Sequence, residues 1–235
     1  MKRVWLLALA VVVVLPCHIL AAPIVFTSSG SAAGFAMLDG SASPSISVAQ
    51  APITTSWVIG DAETAGDSTV SANLSSTVTD NSVTAIGIFQ LTRGSNSFAA
   101  IGGEYELTFA LAEPMAYQLL LWGTAFQDNS QSGPSNITAW FLGDDVFYHD
   151  SFSGPGMLNA PPTGILSAGD YRVLISFQGT SIAMPRSGPA GTVSGSMNFS
   201  LELAPVAVPE PASILLLAAG LAAVGRRRYV GRKCR

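Results

Sequence analysis

Cysteine is nearly missing from this chain. The two that occur, Cys17 and Cys234, stand close to the ends of the 235 residues, so the long middle has none. That excludes a disulfide framework, a thiol nucleophile and a cysteine-ligated zinc from everything between them. Histidine is almost as scarce, since only His149 stands beyond residue 18. No metal site and no cofactor is therefore expected. Basic residues are also few: residues 22–208 hold Arg93, Arg172 and Arg186 against fourteen carboxylates, a formal charge of −11 where the whole chain has −4. Such a surface repels phosphate backbones, which argues against nucleic acid as a partner, and suits a cation, a basic partner or a neutral sugar. Between the ends there is no apolar run of helical period of convincing length and no Gly-x-Ser-x-Gly elbow for a hydrolase nucleophile.

What the middle does contain is strand and turn chemistry. Serine and threonine are abundant, glycine and proline punctuate the chain at short intervals, and β-branched and aromatic residues fill the gaps, a pattern of all-β domains. The clearest strands are expected at Ile53 to Ile59, Thr69 to Thr79, Val83 to Leu91, Tyr105 to Ala112, Met115 to Trp122, Ile137 to Leu142, Tyr171 to Phe177 and Met197 to Leu203. In the stretch from 171 to 177 the odd positions Tyr171, Val173, Ile175 and Phe177 should face one core. Glu113-Pro114 reads as a tight hairpin link. Leu166-Ser167-Ala168-Gly169-Asp170-Tyr171 resembles the tyrosine corner of Greek-key sandwiches, in which a tyrosine entering a strand bonds back to the preceding arch. The expected fold is all-β, a β-sandwich or jelly-roll-like body of seven to nine strands, with a β-solenoid as the less favoured arrangement because no fixed repeat is visible. Irregular loops are expected at Gln127 to Asn136 and Ser151 to Thr163.

Both ends read as handling signals. Met1-Lys2-Arg3, the apolar stretch Val4 to Leu15 and the small residues Ala21-Ala22 make a secretory signal peptide over residues 1–21. Leu15-Pro16 ahead of Cys17 lacks the small residue that lipid attachment requires. At the other end, Pro209 and Pro211 hold Val208-Pro209-Glu210-Pro211 extended and accessible. The apolar run Ala212 to Val224 follows, about 20 Å long as a helix and so short for a ~30 Å hydrocarbon core. Arg226, Arg227 and Arg228 then supply a cytoplasmic stop. A helix of that length fits a transient anchor better than a permanent one.

These residues carry a resemblance. The Pro209-Glu210-Pro211 triplet, the alanine- and leucine-rich helix and the arginine cluster stand in the order of the PEP-CTERM sorting domain, a segment also catalogued as an ice-binding protein C-terminal domain. The resemblance covers about 25 residues at the C-terminus, and the tail from Tyr229 to Arg235 is longer than usual. It implies export in a Gram-negative bacterium through the secretory translocon. It further implies a transient hold in the inner membrane, cutting near the triplet by the membrane protease exosortase, and delivery to the cell surface or beyond, in the company of exopolysaccharide and biofilm-matrix genes. The chain would then divide into a signal peptide at 1–21, an exported body at 22–204 and a sorting segment at 205–235.

Within the body, chemistry is thinly supplied. Asp144, Asp145, His149, Asp150 and Asp128 offer oxygen donors of the kind calcium takes, but not at EF-hand spacing, and Gly143-Asp144-Asp145 reads more simply as a polar turn. Glu104 and Glu106 share a strand face and read as its solvated side. Trp57, Trp122 and Trp140, with Tyr148, are the rings to weigh for sugar stacking, Trp122, Trp140 and Tyr148 above the rest, although aromatics at strand positions usually pack in the core. A regular Thr-x-Thr ladder of the kind a flat ice-binding face requires is missing apart from Thr77-Val78-Thr79. The sequence thus points to a non-catalytic exported surface or matrix protein, with a carbohydrate-binding module or weak polysaccharide-active enzyme as the alternative.

Overall fold

The computed structural model describes residues 24–38, 44–94, 97–127, 136–152, 156–157, 163–182 and 191–206. Two compact units are distinguished, Met1–Ala204 and Pro205–Arg235. Only Pro205 and Val206 of the second are described, so the signal peptide, the helix expected at 212–224 and the arginine stop lie outside the described residues.

The first unit is entirely β. In chain order the described strands are β1 (Phe26–Leu38), β2 (Ser45–Ile53), β3 (Trp57–Ala65), β4 (Ser68–Val78), β5 (Ser82–Arg93), β6 (Ser97–Leu111) and β7 (Met115–Gln127). They continue with β8 (Asn136–Gly143), β9 (Phe147–Phe152), β10 (Gly156–Met157), β11 (Thr163–Leu166), β12 (Gly169–Ile182) and β13 (Gly191–Pro205). One sheet, sheet A, has the order β2-β1-β6-β12-β8-β9; the other, sheet B, has the order β10-β7-β13-β5-β4-β3, with β11 also on β7. The two antiparallel sheets pack as a sandwich.

Alternation decides which side of each strand is inside. In β5 the inward set is Val83, Ala85, Phe89 and Leu91; in β12 it is Tyr171, Val173, Ile175 and Phe177, as the period-two pattern requires. Aromatic rings bridge the two layers. Phe89 stacks on Phe177 with centroids 4.8 Å apart and planes 11° from parallel, and Tyr105 meets Phe199 at 5.8 Å. Trp57 crosses from sheet B so that its indole N–H donates to Ser28 Oγ of sheet A at 2.9 Å. That indole needs Gly30 beneath it, because a Cβ there would stand 2.6 Å from the ring. Buried polar groups find partners in the same region: Tyr105 and Ser76 hydroxyls lie 3.1 Å apart, as burial demands. Burial is also what pushes the Tyr105 phenol up to about 12.

Three expectations are corrected. Ile53 to Ile59 is not a strand; β2 ends at Ile53, β3 begins at Trp57, and the residues between carry the chain from sheet A to sheet B. Ser56 there spends its hydroxyl accepting the Val78 amide at 2.9 Å, a turn contact. Glu113-Pro114 does not close a hairpin, since β6 belongs to sheet A and β7 to sheet B. Leu111 and Met115 on either side both point into the core, so the link is an arch between layers. The thirteen described strands also outnumber the seven to nine expected, because β1, β9, β10 and β11 were not legible as strands and β2 and β3 were read as one.

Candidate functional site

The outer face of sheet A is built from the alternate residues that the core leaves out. Antiparallel register places them in rows across five strands. One row runs Ser29, Glu106, Leu174, Trp140 and His149; its neighbour runs Thr27, Thr108, Arg172, Leu142 and Phe147. Glu106 and Arg172 sit diagonally and form an ion pair at 2.8 Å. Beside them an open depression of about 510 Å³ is lined by Val25, Thr27, Thr108, Leu142, Asp170 and Arg172. Trp140 lies one row away on the same face, outside the lining of the depression; it is half-buried and stacks on His149 with centroids 5.1 Å apart. The depression combines Val25 and Leu142 with the hydroxyls of Thr27 and Thr108 and the ion-paired guanidinium of Arg172, a mixed polar and apolar lining of the kind small-molecule sites use.

The other aromatic candidates are placed elsewhere. Trp57 is in the core. Trp122 is 48% exposed on the outer face of sheet B, the side of the sandwich opposite Trp140. Tyr148 pairs with Phe141 on the inner side of β9, and its hydroxyl donates to Asp150 Oδ2 at 3.0 Å. Burial and that carboxylate push its phenol up. The structure therefore brings Trp140 together with His149 and Leu174, and does not bring Trp122, Trp140 and Tyr148 to one surface. Sequence reasoning passed over Arg172, Thr108, Leu174 and Leu142, because their proximity to Trp140 exists only through pairing of β6, β12 and β8.

The acidic cluster resolves into a corner. Gly143 N–H bonds to the Val146 carbonyl at 2.9 Å, which makes Asp144 and Asp145 the turn between β8 and β9. Asp145 accepts the Ser167 amide on one oxygen at 2.7 Å and the Tyr171 hydroxyl on the other at 2.7 Å. The same hydroxyl lies 2.9 Å from the Ser167 carbonyl, four residues back, the bond expected of a tyrosine corner. The Ser167 backbone bond, then the Tyr171 hydroxyl, hold the Asp145 carboxyl below its ordinary range. Burial first and Asp145 second push the Tyr171 phenol up. Asp150 meanwhile accepts from Tyr148 and from the Ser151 amide. Among the described residues no group of three or more His, Cys, Asp or Glu gathers closely enough to hold a metal ion, and Asp128 lies outside them.

Fold and surface together define a β-sandwich body with an open groove on one outer face. Later in the sequence, residues 207–228 match the model of the PEP-CTERM protein-sorting motif. The chain therefore carries a PEP-CTERM sorting motif, which implies export, a transient hold in the membrane and processing with exosortase as the partner. The motif residues Val208, Pro209, Glu210 and Pro211 and the stop residues Arg226, Arg227 and Arg228 lie outside the described residues. Among the described residues no helix is long and apolar enough to cross a membrane. A search of curated proteins finds no match. Among solved structures, "Structure of TmCBM61 in complex with beta-1,4-galactotriose" is similar over 63% of this chain and 86% of that one, with 10% identity and a TM-score of 0.23.

Proposed function

We propose that this chain is a non-catalytic surface or extracellular-matrix protein of a Gram-negative bacterium, associated with exopolysaccharide. It enters the secretory translocon by a signal peptide at 1–21, folds its body of residues 22–204 outside the inner membrane, and is held there by the segment 205–235 until exosortase cuts near Pro209-Glu210-Pro211. The observation that carries this reading is the sorting motif at residues 207–228. The acidic, cysteine-free composition of the body is consistent with a domain that relies on its core rather than on disulfides outside the cell. Fractionation of producing cells, with the mature C-terminus determined by mass spectrometry, tests it. Most exported molecules should lack Arg226 to Arg235; an intact tail on most of them refutes processing.

A carbohydrate-binding body is the second reading, favoured by the depression lined by the paired Arg172 and by Trp140 one row away on the same face. A glycan array probed with the exported protein tests it. Selective binding that is lost in Trp140→Ala and in Arg172→Ala, with the fold intact, supports it; binding that survives both removes the groove from consideration.

A further inference from the structure

The outer face of sheet B differs in kind from the rest of this acidic protein. Its rows run across β4, β5 and β13: Thr69 with Thr92 and Thr192 at one end, Asn73 with Ile88 and Ser196 in the middle, Thr77 with Thr84 and Ser200 at the other. Thr64 of β3 extends the first row, and Thr124 of β7 extends the middle one through a 3.0 Å bond to Ser196. No charged side chain interrupts these rows; Glu202, paired with Ser82, stands just past their end. Five of the eight exposed large hydrophobics of the described residues, Val58, Ile86, Ile88, Trp122 and Ile165, lie on this one face. Concentrated apolar exposure of that sort marks an interaction surface.

We propose that the outer face of sheet B docks a second copy of this chain, face to face, in a two-fold dimer centred on Ile88. Charge selects the occupant first. Two bodies of formal charge −11 repel wherever their carboxylates meet, and this face lets them approach without charge against charge. Size agrees. Five strands at about 4.8 Å and ten residues at about 3.4 Å give a plane of about 24 by about 34 Å. That is about 800 Å² per partner, the standard contribution to a stable protein interface. Symmetry agrees too. Strand β5 is the middle of the five strands from β7 to β3, and the Ile88 row is the middle of five. A two-fold axis there lays Ile86 and Ile88 of each copy over those of the other, as a self-complementary contact requires. Sheets packed this way sit about 10 Å apart with strands within about 30° of alignment. A narrow ligand lying along β5 would by contrast cover Ile86 and Ile88 and leave Val58 on β3 or Trp122 on β7 in water.

The test uses the exported protein recovered from producing cells, in sedimentation velocity over a concentration series from about 1 to about 100 μM. The wild type should sediment as a dimer at the upper end. Ile88→Lys should weaken association at least tenfold with circular dichroism unchanged and with the melting temperature unchanged at the dilute end, where both proteins are monomers, since the side chain is 56% exposed and outside the core. Ser196→Asp, which places a carboxylate in the same row, should do likewise and guards against a folding defect in the first variant. Phe147→Lys, on the outer face of sheet A, should leave the dimer intact. A monomeric wild type, or a dimer that survives both Ile88→Lys and Ser196→Asp, overturns the proposal. A monomer retained on a neutral polysaccharide column and released by Ile88→Lys also overturns it and assigns the face to a glycan instead.

Discussion

Phe89 of β5 and Phe177 of β12 stack face to face across the sandwich, 4.8 Å between centroids, and each ring lies over a glycine. Gly195 on β13 lies under Phe89, and Gly103 on β6 under Phe177, so both rings are held by the sheet beneath as well as by each other. Where a glycine leaves a gap in a sheet, a neighbouring aromatic covers it. Phe89→Ala should cost about 3–5 kcal/mol, read by urea unfolding. Gly195→Ala, which puts a methyl group against the Phe89 ring, should cost about 1–3 kcal/mol by overpacking. If Gly195→Ala were neutral, the ring would have room that the packing denies it.

Tyr171→Phe tests the corner. It removes the hydroxyl shared by Asp145 and the Ser167 carbonyl while keeping the ring that stacks on Phe109 at 5.3 Å. The expected loss is about 0.5–1.5 kcal/mol, the net worth of a hydrogen bond, because the acceptors it leaves on Asp145 and Ser167 are exposed to water. A variant as stable as the parent would mean that water replaces the hydroxyl without penalty.

Asp145 gives a pH signature with a definite sign. Its carboxyl is held below the ordinary 3.8 in the folded protein, so its contribution is present above that value and lost as pH falls through the lower folded one. Thermal melts of wild type and Asp145→Asn should differ near neutral pH and converge below about pH 3.8. Because the group is exposed, the difference should be small and reduced by salt. A gap that stays constant to low pH would show that the turn, rather than the charge, is responsible.

At alkaline pH the sign reverses. Tyr105 is raised from 10.0 to about 12 by burial, so the stability it supplies is complete below 10 and lost as pH rises through 12. The two-unit shift corresponds to about 3 kcal/mol. Tyr105→Phe should flatten the fall in stability between those values relative to the parent. Tyrosinate absorbance during a pH titration provides the independent check, since Tyr105 should ionise near 12 rather than near 10 while the fold persists.

Glu106→Gln should change stability by less than about 1 kcal/mol, because the Arg172 pair is solvent-exposed. That tolerance makes the pair a usable probe of the groove. A drop in melting temperature as large as that of Phe89→Ala would mark the pair as structural and disqualify it.

How far the sequence revealed this fold depended on side-chain size. The strands β5 and β12 announce themselves because large apolar residues alternate along them. Strand β1 does not. Several of its inner positions are Ser28, Gly30, Ala32, Gly34 and Ala36, and the space above them is filled from another strand, by Trp57 over Gly30 and Val70 over Gly34. A strand whose bulk is supplied by its neighbours has no hydrophobic period of its own. The tyrosine corner was legible because its partners lie within a few residues. The depression on sheet A was not, since its lining is contributed by segments near residues 25, 108, 142 and 172 that meet only through strand register. The same holds for the threonine row of Thr64, Thr69, Thr92 and Thr192, which no search along one strand can find.

Strand β13 has a mechanical consequence. It is the last strand of the body and runs to Pro205, next to the sorting segment, yet it lies inside sheet B with β5 on one flank and β7 on the other. Its pairing with β5 alone extends from Gly191 opposite Arg93 to Glu202 opposite Ser82. A pull on the C-terminal end along that strand must shear this whole ladder at once, where an edge strand would peel one bond at a time. A load on that end is thus borne by an internal strand rather than an edge, and a tether placed there can be loaded without unravelling what it holds.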